Sequence, residues 1–173
     1  LKYESNIFSV TEELEYEILD ENIDKEQSNR GDLTLFINGI PIFFFELKNN
    51  TSGQSIKDAV KQYQKTRDPN QLIFKFKEGC LVCFAMDHDD VLFTTKLNKD
   101  DTYFMPYNKG VNKRKGNPEV PNNLKTSYIW DEILIKDNIL EWLGEYIVLE
   151  IKEEKTYNNK KKKTERIIFP RYH

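Results

Sequence analysis

The chain has 173 residues, which is long enough for one domain with a sizeable core. Charged residues make up 32 % of it, yet the formal net charge is only −3. This balance excludes the strongly basic character of a free-standing DNA-binding module, so any contact with DNA requires a local basic patch or a partner. Two cysteines, no signal-like N-terminus and no apolar run of about 18 residues predict a cytoplasmic protein without a membrane segment.

The first predicted element covers residues 11–19. Leu14, Ile18 and Leu19 recur there at helical spacing, Thr11 stands where a helix cap belongs, and acidic residues fill the first turn. This pattern predicts a helix that packs one apolar stripe on the core. Residues 20–30 are polar and predict a loop that leads into the next element.

Residues 31–48 form the stretch around which the sequence is organised. Asn38-Gly39 separates two apolar runs and is a strong signal for a hairpin turn. The return strand, residues 42–48, is apolar on both faces until Glu46, which predicts a central strand buried on both sides. The stretch carries charges only at its two ends, as Asp32, Glu46 and Lys48.

A second helix and three further strands are predicted downstream. Ser55 can cap a helix, and the apolar residues after it repeat at helical spacing, as Ile56, Ala59, Val60 and Tyr63. Apolar runs at residues 71–76, 80–86 and 91–97 predict strands. Cys80 and Cys83 point to opposite faces of a strand and lack a second pair, so we expect core cysteines. His88 stands alone among aspartates and predicts a turn rather than a metal site.

The second half of the chain is more polar. Residues 108–123 carry basic side chains that either grip phosphates or form a solvated connector, namely Lys109, Lys113, Arg114 and Lys115. Two helices are predicted, at residues 127–137 and 139–150, broken near residues 137–138. The lysine run at residues 160–163 predicts a linker or a mobile hairpin tip. We therefore expect a core at residues 1–100, a basic loop and helical extension at 101–150, and a linker at 151–173.

The three charges of the hairpin need a physical explanation. Glu46 and Lys48 share one face of a strand end, and a buried charge is costly unless it is paired or holds a metal. A structural ion pair would explain these two residues alone, but Asp32 adds a second carboxylate. Carboxylates bind Mg²⁺, the metal activates water, and a lysine orients that water or stabilises developing charge. This set is suited to metal-dependent phosphodiester hydrolysis.

Asp32 and Glu46 can share one site only if the hairpin places both side chains on the same face of the sheet. Cross-strand partners on antiparallel strands share a face, and their residue numbers sum to a constant. A regular two-residue turn at residues 38–39 would pair Ile37 with Ile40, a sum of 77, and would place Asp32 and Glu46 on opposite faces. We therefore predict an odd-length connection or a bulge that restores an even sum.

Asp32, Glu46 and Lys48 at this spacing resemble the PD-(D/E)xK nuclease motif. The surrounding residues 32–49 are similar to the N-terminal nuclease domain of HsdR, the R subunit of type I restriction-modification enzymes, and residues 104–110, 126–134 and 168–173 agree in order. The resemblance covers nearly the whole chain. It implies an α/β fold with a restriction-endonuclease-like αβββαβ core, a mixed sheet flanked by helices, and a C-terminal helical extension.

The resemblance also implies roles for particular residues. Asp32 and Glu46 would bind Mg²⁺ together with the backbone carbonyl of Leu47, and Lys48 would orient the attacking water. Gln62 matches the Gln of the family's Q-x-x-x-Y motif and would support catalysis or contact DNA. An early helix in such folds sometimes supplies a further acidic ligand, here Glu13 or Glu17, although a solvated acidic face explains these residues more simply.

The sequence departs from the family pattern at two positions. Thr66 replaces the motif Tyr, and Tyr63 is a candidate to take over its role. Gly31 replaces the Pro that names the nuclease motif. These departures are the support for one alternative, a catalytically inactive nuclease fold that binds DNA or assists assembly. A nuclease of another PD-(D/E)xK family is a second alternative.

As a member of this family, the chain would cut duplex DNA after an adjoining motor domain has translocated it with ATP. The family's partners are the specificity and methyltransferase subunits of the restriction complex. The sequence contains no G-x-x-x-x-G-K-[ST] motif, so we expect ATP to bind only in the motor domain, outside this chain.

Overall fold

The computed structural model describes residues 4–16, 30–112, 114–155 and 161–172. The strands in this part of the chain are β1 (Phe8–Glu15), β2 (Arg30–Ile37), β3 (Ile40–Leu47), β4 (Val82–Met86), β5 (Val91–Thr94), β6 (Met105–Pro106), β7 (Val148–Lys155) and β8 (Lys161–Ile168). The helices are α1 (Ile56–Lys65) and α2 (Lys136–Glu141), with a 3₁₀ turn at Asn50–Ser52 and π-helical turns at Ile129–Ile133 and Trp142–Tyr146.

Strands β1 to β6 form one mixed sheet in sequence order. The β3–β4 pair is parallel and all the other pairs in this sheet are antiparallel, with α1 in the connection from β3 to β4. Strands β7 and β8 form a separate antiparallel pair. The expected α/β class with a mixed sheet is confirmed, and β3 lies inside the sheet as predicted. No described helix is both long and apolar enough to cross a bilayer.

The predicted bulge is present in the β2–β3 hairpin. Asn38 and Gly39 both have positive φ, 52° and 80°, as a two-residue turn of the primed type requires. Next to the turn the paired residue numbers sum to 77, but beyond a register shift at residues 35–36 they sum to 78, as in Thr34 opposite Phe44. An even sum puts Asp32 and Glu46 on one face, so the condition for a shared site is met.

Two apolar layers cover the sheet. One face packs a large cluster that includes Phe43, Phe45 and Phe84, and Phe169 joins it from the end of the chain. The opposite face carries Phe44, which packs with Tyr63 of α1 and with Phe74. Because neighbouring residues of β3 alternate between these layers, Glu46 lies on the face that α1 covers.

Two element predictions for the first hundred residues were wrong. Residues 11–15 belong to strand β1, and the remainder of the expected helix lies outside the described residues. Pairing with β2, for example Thr11 with Thr34, overrides the helical spacing of the apolar residues. Residues 71–76 form successive turns with i to i−3 hydrogen bonds instead of a strand, which still places Phe74 in the core.

The C-terminal part also differs from the sequence prediction. The helix expected at 127–137 is a π-helical turn at Ile129–Ile133, and the break falls at residues 134–135 rather than 137–138. The helix expected at 139–150 ends by Tyr146, and β7 follows it. Residues 161–168, expected as part of a linker, pair with β7 as β8. Residue 160 lies outside the described residues. Alternating charges pair across this hairpin, for example Arg166 with Glu150, and offset the repulsion within the lysine run.

Asp87 fixes the end of β4 to the start of α1. Its carboxylate accepts backbone hydrogen bonds of 2.9 Å from Ile56 at the first turn of α1, and from Asp89 and Asp90 in the following turn. The side chain is buried.

We expect Asp87→Ala to lower the free energy of unfolding by about 3 kcal/mol, because three backbone N–H groups lose a charged acceptor. Urea unfolding followed by circular dichroism measures this change.

Asp101→Ala is the matched control, since Asp101 is exposed and, among the described residues, only its backbone N–H forms a hydrogen bond, to the carbonyl of Asn98 at 3.0 Å, which alanine keeps. Its effect should stay within about 0.5 kcal/mol. Equal losses for the two variants would contradict the role given to Asp87.

Candidate active site

Asp32 and Glu46 lie together at one edge of the sheet. Asp32 is near the start of β2 and Glu46 is near the end of β3, and the register of the hairpin sets them opposite each other. Asp32 Oδ2 accepts a 2.6 Å hydrogen bond from the backbone N–H of Leu47. The Asp32 side chain is 40 % exposed, so one carboxylate of the pair faces solvent while Glu46 is fully buried.

Lys48 completes the predicted group. Its backbone N–H donates to the carbonyl of Met86 at 2.8 Å, which continues the β3–β4 pairing beyond the end of β3. Its Nζ atom lies 3.9 Å from Asp32 Oδ2. The side chain is largely buried. The structure thus brings Asp32, Glu46 and Lys48 to one place, as their spacing predicted.

Arg67 is the residue at this site that the sequence prediction missed. Its side chain is fully buried against Glu46, with Nε 2.7 Å and Nη2 2.6 Å from the same oxygen, Oε1. It also donates to the hydroxyl of Tyr16 and to the carbonyl of Arg30, each at 2.7 Å. A buried Glu46 demands a partner, but the sequence does not indicate which of the distant cations supplies it.

The second carboxylate oxygen of Glu46 has a different environment. Oε2 is buried and has no hydrogen-bond partner among the described residues. Burial raises the pKa of Glu46 to about 7, and Asp32 adds to this rise while Arg67 opposes it. An anionic oxygen without a donor is costly in a buried position, so Oε2 is a site where an added cation would be stabilised.

These residues fit a divalent cation in part. Oε2 of Glu46 and the carboxylate of Asp32 are hard oxygen ligands of the kind that Mg²⁺ takes, and the Leu47 carbonyl follows Glu46 directly in sequence. Among the described residues there is no cluster of three or more His, Cys, Asp and Glu side chains that could hold a metal. A metal here would therefore depend on water and substrate oxygens for the rest of its coordination.

Gly31 has a packing explanation for its departure from the family motif. A Cβ atom at this position would lie 2.1 Å from the ring of Phe44. That ring is held by edge contacts with Tyr16, Tyr63 and Phe74 and cannot move freely. Packing against an aromatic residue of the next strand, Phe44, thus accounts for a glycine at position 31.

The three residues that the Q-x-x-x-Y motif singles out have different environments in the structure. Tyr63 is fully buried and its hydroxyl donates to the carbonyl of Phe84 at 2.9 Å, so it serves the core. Thr66 Oγ1 donates to the carbonyl of Gln62 at 2.8 Å and closes the end of α1. The Gln62 side chain is half-buried and forms no hydrogen bond within the described residues, and its contact with DNA stays a prediction.

The remaining candidates do not join the site. Glu13 pairs with Arg30 at 3.3 Å on the exposed side of β1 and β2, and Glu17 lies outside the described residues. Cys80 and Cys83 are free and buried, as predicted, and burial raises the pKa of both thiols, for Cys80 to about 12. Thiols with such pKa values are poor nucleophiles and poor metal ligands near neutral pH.

The contribution of the buried Glu46–Arg67 ion pair to the stability of the fold can be tested. Arg67→Ala should lower the free energy of unfolding by about 3–5 kcal/mol, because it leaves the charge of Glu46 buried without a counter-ion. The double variant Glu46→Leu with Arg67→Met should lose less than Arg67→Ala alone, since it removes both charges and keeps most of the volume. Urea unfolding of the three proteins in EDTA measures both differences.

Lys65→Ala is the control because it breaks an exposed pair of similar length, 2.7 Å to Asp100. Its cost should stay below about 1 kcal/mol. A loss for Arg67→Ala no larger than this would show that the buried pair does not stabilise the fold.

Comparisons with known proteins agree with the resemblance. The family model described as the type I restriction enzyme R protein N terminus matches residues 2–102. A protein of Methanocaldococcus jannaschii named as the MjaIXP endonuclease subunit of a type I restriction enzyme is 29 % identical over 156 residues, covering 83 % of this chain and 14 % of that protein. No solved structure matches. The chain belongs to the family of type I restriction enzyme R protein N-terminal regions.

Proposed function

We propose that the chain is the metal-dependent nuclease portion of a type I restriction R subunit and hydrolyses phosphodiester bonds of duplex DNA. The observation that carries the proposal is Oε2 of Glu46, a buried carboxylate oxygen to which no described residue donates, on the same face as Asp32 and beside Lys48. The family match supports the endonuclease role.

Each residue has a separate part in the proposed reaction. Glu46 and Asp32 would hold Mg²⁺ with the Leu47 carbonyl, and the ion would activate a water and offset charge on the phosphate. Lys48 would orient that water or stabilise the developing charge. Of the two carboxylate oxygens of Glu46, Arg67 contacts Oε1, so it would fix the carboxylate in position and leave Oε2 for the metal.

The wider assembly is part of the same proposal. The chain spans only 14 % of its curated relative, so most of that protein lies outside the part compared. We place an ATP-driven motor domain there and assign sequence choice to the specificity and methyltransferase subunits. The described residues supply the cutting step, and translocation by the motor would deliver the duplex to it.

A catalytically inactive module is the second candidate, and one observation favours it. Arg67 already neutralises Glu46 in a fully buried pair, and only two carboxylates meet at the site within the described residues. On this alternative the pair would be purely structural and the domain would bind DNA without cutting it. Metal binding separates the two candidates.

Metal affinity is the first test of the nuclease proposal. Calorimetric titration with Mn²⁺ should show binding to the wild type and loss of most of it in Asp32→Ala and Glu46→Gln. Gln is chosen at position 46 because it keeps an acceptor for Arg67 while it removes the charge. Lys48→Ala should retain metal but lower the cleavage rate by roughly 10²–10⁴, if Lys48 positions the water.

Asp101→Ala removes an exposed carboxylate away from the site and should bind Mn²⁺ like the wild type. Equal affinity of the wild type and Asp32→Ala would end the metal proposal and favour the inactive module.

The proposed separation of DNA cutting from translocation is tested in the assembled enzyme. In a full-length R subunit with its partner subunits, Glu46→Gln should abolish plasmid linearisation while triplex displacement, which reports translocation, continues at the wild-type rate. The reason is that Glu46 lies in the proposed nuclease site and not in the motor domain, and Gln keeps an acceptor for Arg67. Loss of triplex displacement in this variant would show that cutting and translocation are not separated as proposed.

A further inference from the structure

A cavity of about 630 Å³ opens beside α1, at some distance from Glu46. Four basic side chains from distant parts of the sequence line it, namely Lys57, Arg114, Lys115 and Arg171. Asp90 is the one carboxylate among its described lining residues, and its Oδ1 atom accepts a 2.6 Å hydrogen bond from Asn108. The cavity is therefore strongly positive in a chain whose net charge is −3.

The basic side chains of this cavity have no acidic partners within the part of the chain that the structure describes. None of the four forms an ion pair with a described carboxylate, whereas cations elsewhere, such as Lys65, Lys75 and Lys125, do. Lys109, close to Arg114 in sequence, differs from these four side chains, because it pairs with Glu132 and lies over the rings of Tyr128 and Tyr172. Clustered unpaired cations are costly unless an anion binds among them.

The sheet places this cavity in line with the proposed active site. Glu46 pairs with Ala85, Ala85 with Leu92, and Leu92 with Pro106, so one row of residues crosses β3 to β6 on one face. Leu92 and Pro106 both line the cavity. Neighbouring strands lie about 4.8 Å apart, so the cavity is about 10–14 Å from Glu46.

We propose that this basic cavity binds the phosphate backbone of duplex nucleic acid, about three or four nucleotides from the phosphodiester that is cut. Each strand of a duplex carries one phosphate per about 3.4 Å of helix axis, which gives this count for 10–14 Å. The inference rests on the proposed function for the position of the cut, but the binding itself needs no metal and no catalysis.

The shape and chemistry of the cavity favour a ligand with several anionic groups along a chain, such as a nucleic-acid backbone. The cavity is open to solvent, and its cations come from α1, from residues 114 and 115, and from residue 171. Contacts spread in this way suit several phosphates along a backbone. They carry no base specificity, which agrees with sequence choice by another subunit.

The experiment measures duplex binding by fluorescence anisotropy in EDTA, over a range of salt concentrations. The double variant Arg114→Ala with Lys115→Ala should weaken binding about tenfold or more at low salt. The slope of log K against log salt should fall by about 2, because each lost phosphate contact releases about one fewer counter-ion. Asp90→Asn keeps the side-chain shape, removes the repelling charge and should strengthen binding a few-fold.

The matched control is Lys99→Ala with Lys136→Ala. Neither lysine lines the cavity, and neither forms an ion pair with a described residue. The control has the same change in net charge and should keep most of the affinity and the salt slope. Equal losses in the two double variants would attribute binding to overall charge and overturn the proposal.

A cavity variant that binds duplex like the wild type would also overturn it, and would assign the cavity to another anion, such as an acidic segment of a partner subunit. The outcome is independent of the nuclease test. Failure of Mn²⁺ binding with a cavity-dependent loss of duplex affinity would refute the proposed function and leave this site standing.

Discussion

The buried ion pair of Glu46 and Arg67 is the interaction on which the rest of the site depends. Two charges without exposure are expensive to desolvate, and only close hydrogen-bonded geometry offsets that cost. Arg67 meets this requirement through Tyr16 and the carbonyl of Arg30 as well as Glu46. One guanidinium thereby ties the residue after β1, the start of β2, the end of β3 and the segment after α1 to a single point.

The same pair is compatible with both a structural role and the proposed catalytic role of Glu46. Arg67 contacts Oε1 through two of its nitrogens, and Oε2 has no donor among the residues that the structure describes. A hydrophobic pair would fill this space at less cost, so stability alone does not account for a carboxylate with one oxygen unsatisfied. The proposed metal site supplies the missing reason, because the fixed carboxylate then presents its other oxygen to a cation.

The features that sequence could predict are those set by neighbours along the chain. The Asn38-Gly39 turn, the two-sided burial of β3 and the requirement for a bulge all follow from short-range pattern and strand geometry. Thr11 in β1 and Arg67 depend instead on partners far away in sequence, Thr34 and Glu46. Helical spacing around Thr11 gave the wrong element, and nothing near Arg67 distinguishes it from a surface cation.

Charge balance connects the proposed active site with the basic cavity. With both carboxylates ionised, Asp32 and Glu46 are balanced by Lys48 and Arg67, so the four side chains are close to neutral before any metal binds. A divalent cation on Oε2 would then leave an excess of positive charge, which phosphate groups of a bound duplex would offset. Because such coupling is reciprocal, a duplex held at the cavity would raise metal affinity as much as metal raises duplex affinity. The row of residues from Glu46 to Pro106 thus places the two sites close enough for one stretch of backbone to satisfy both.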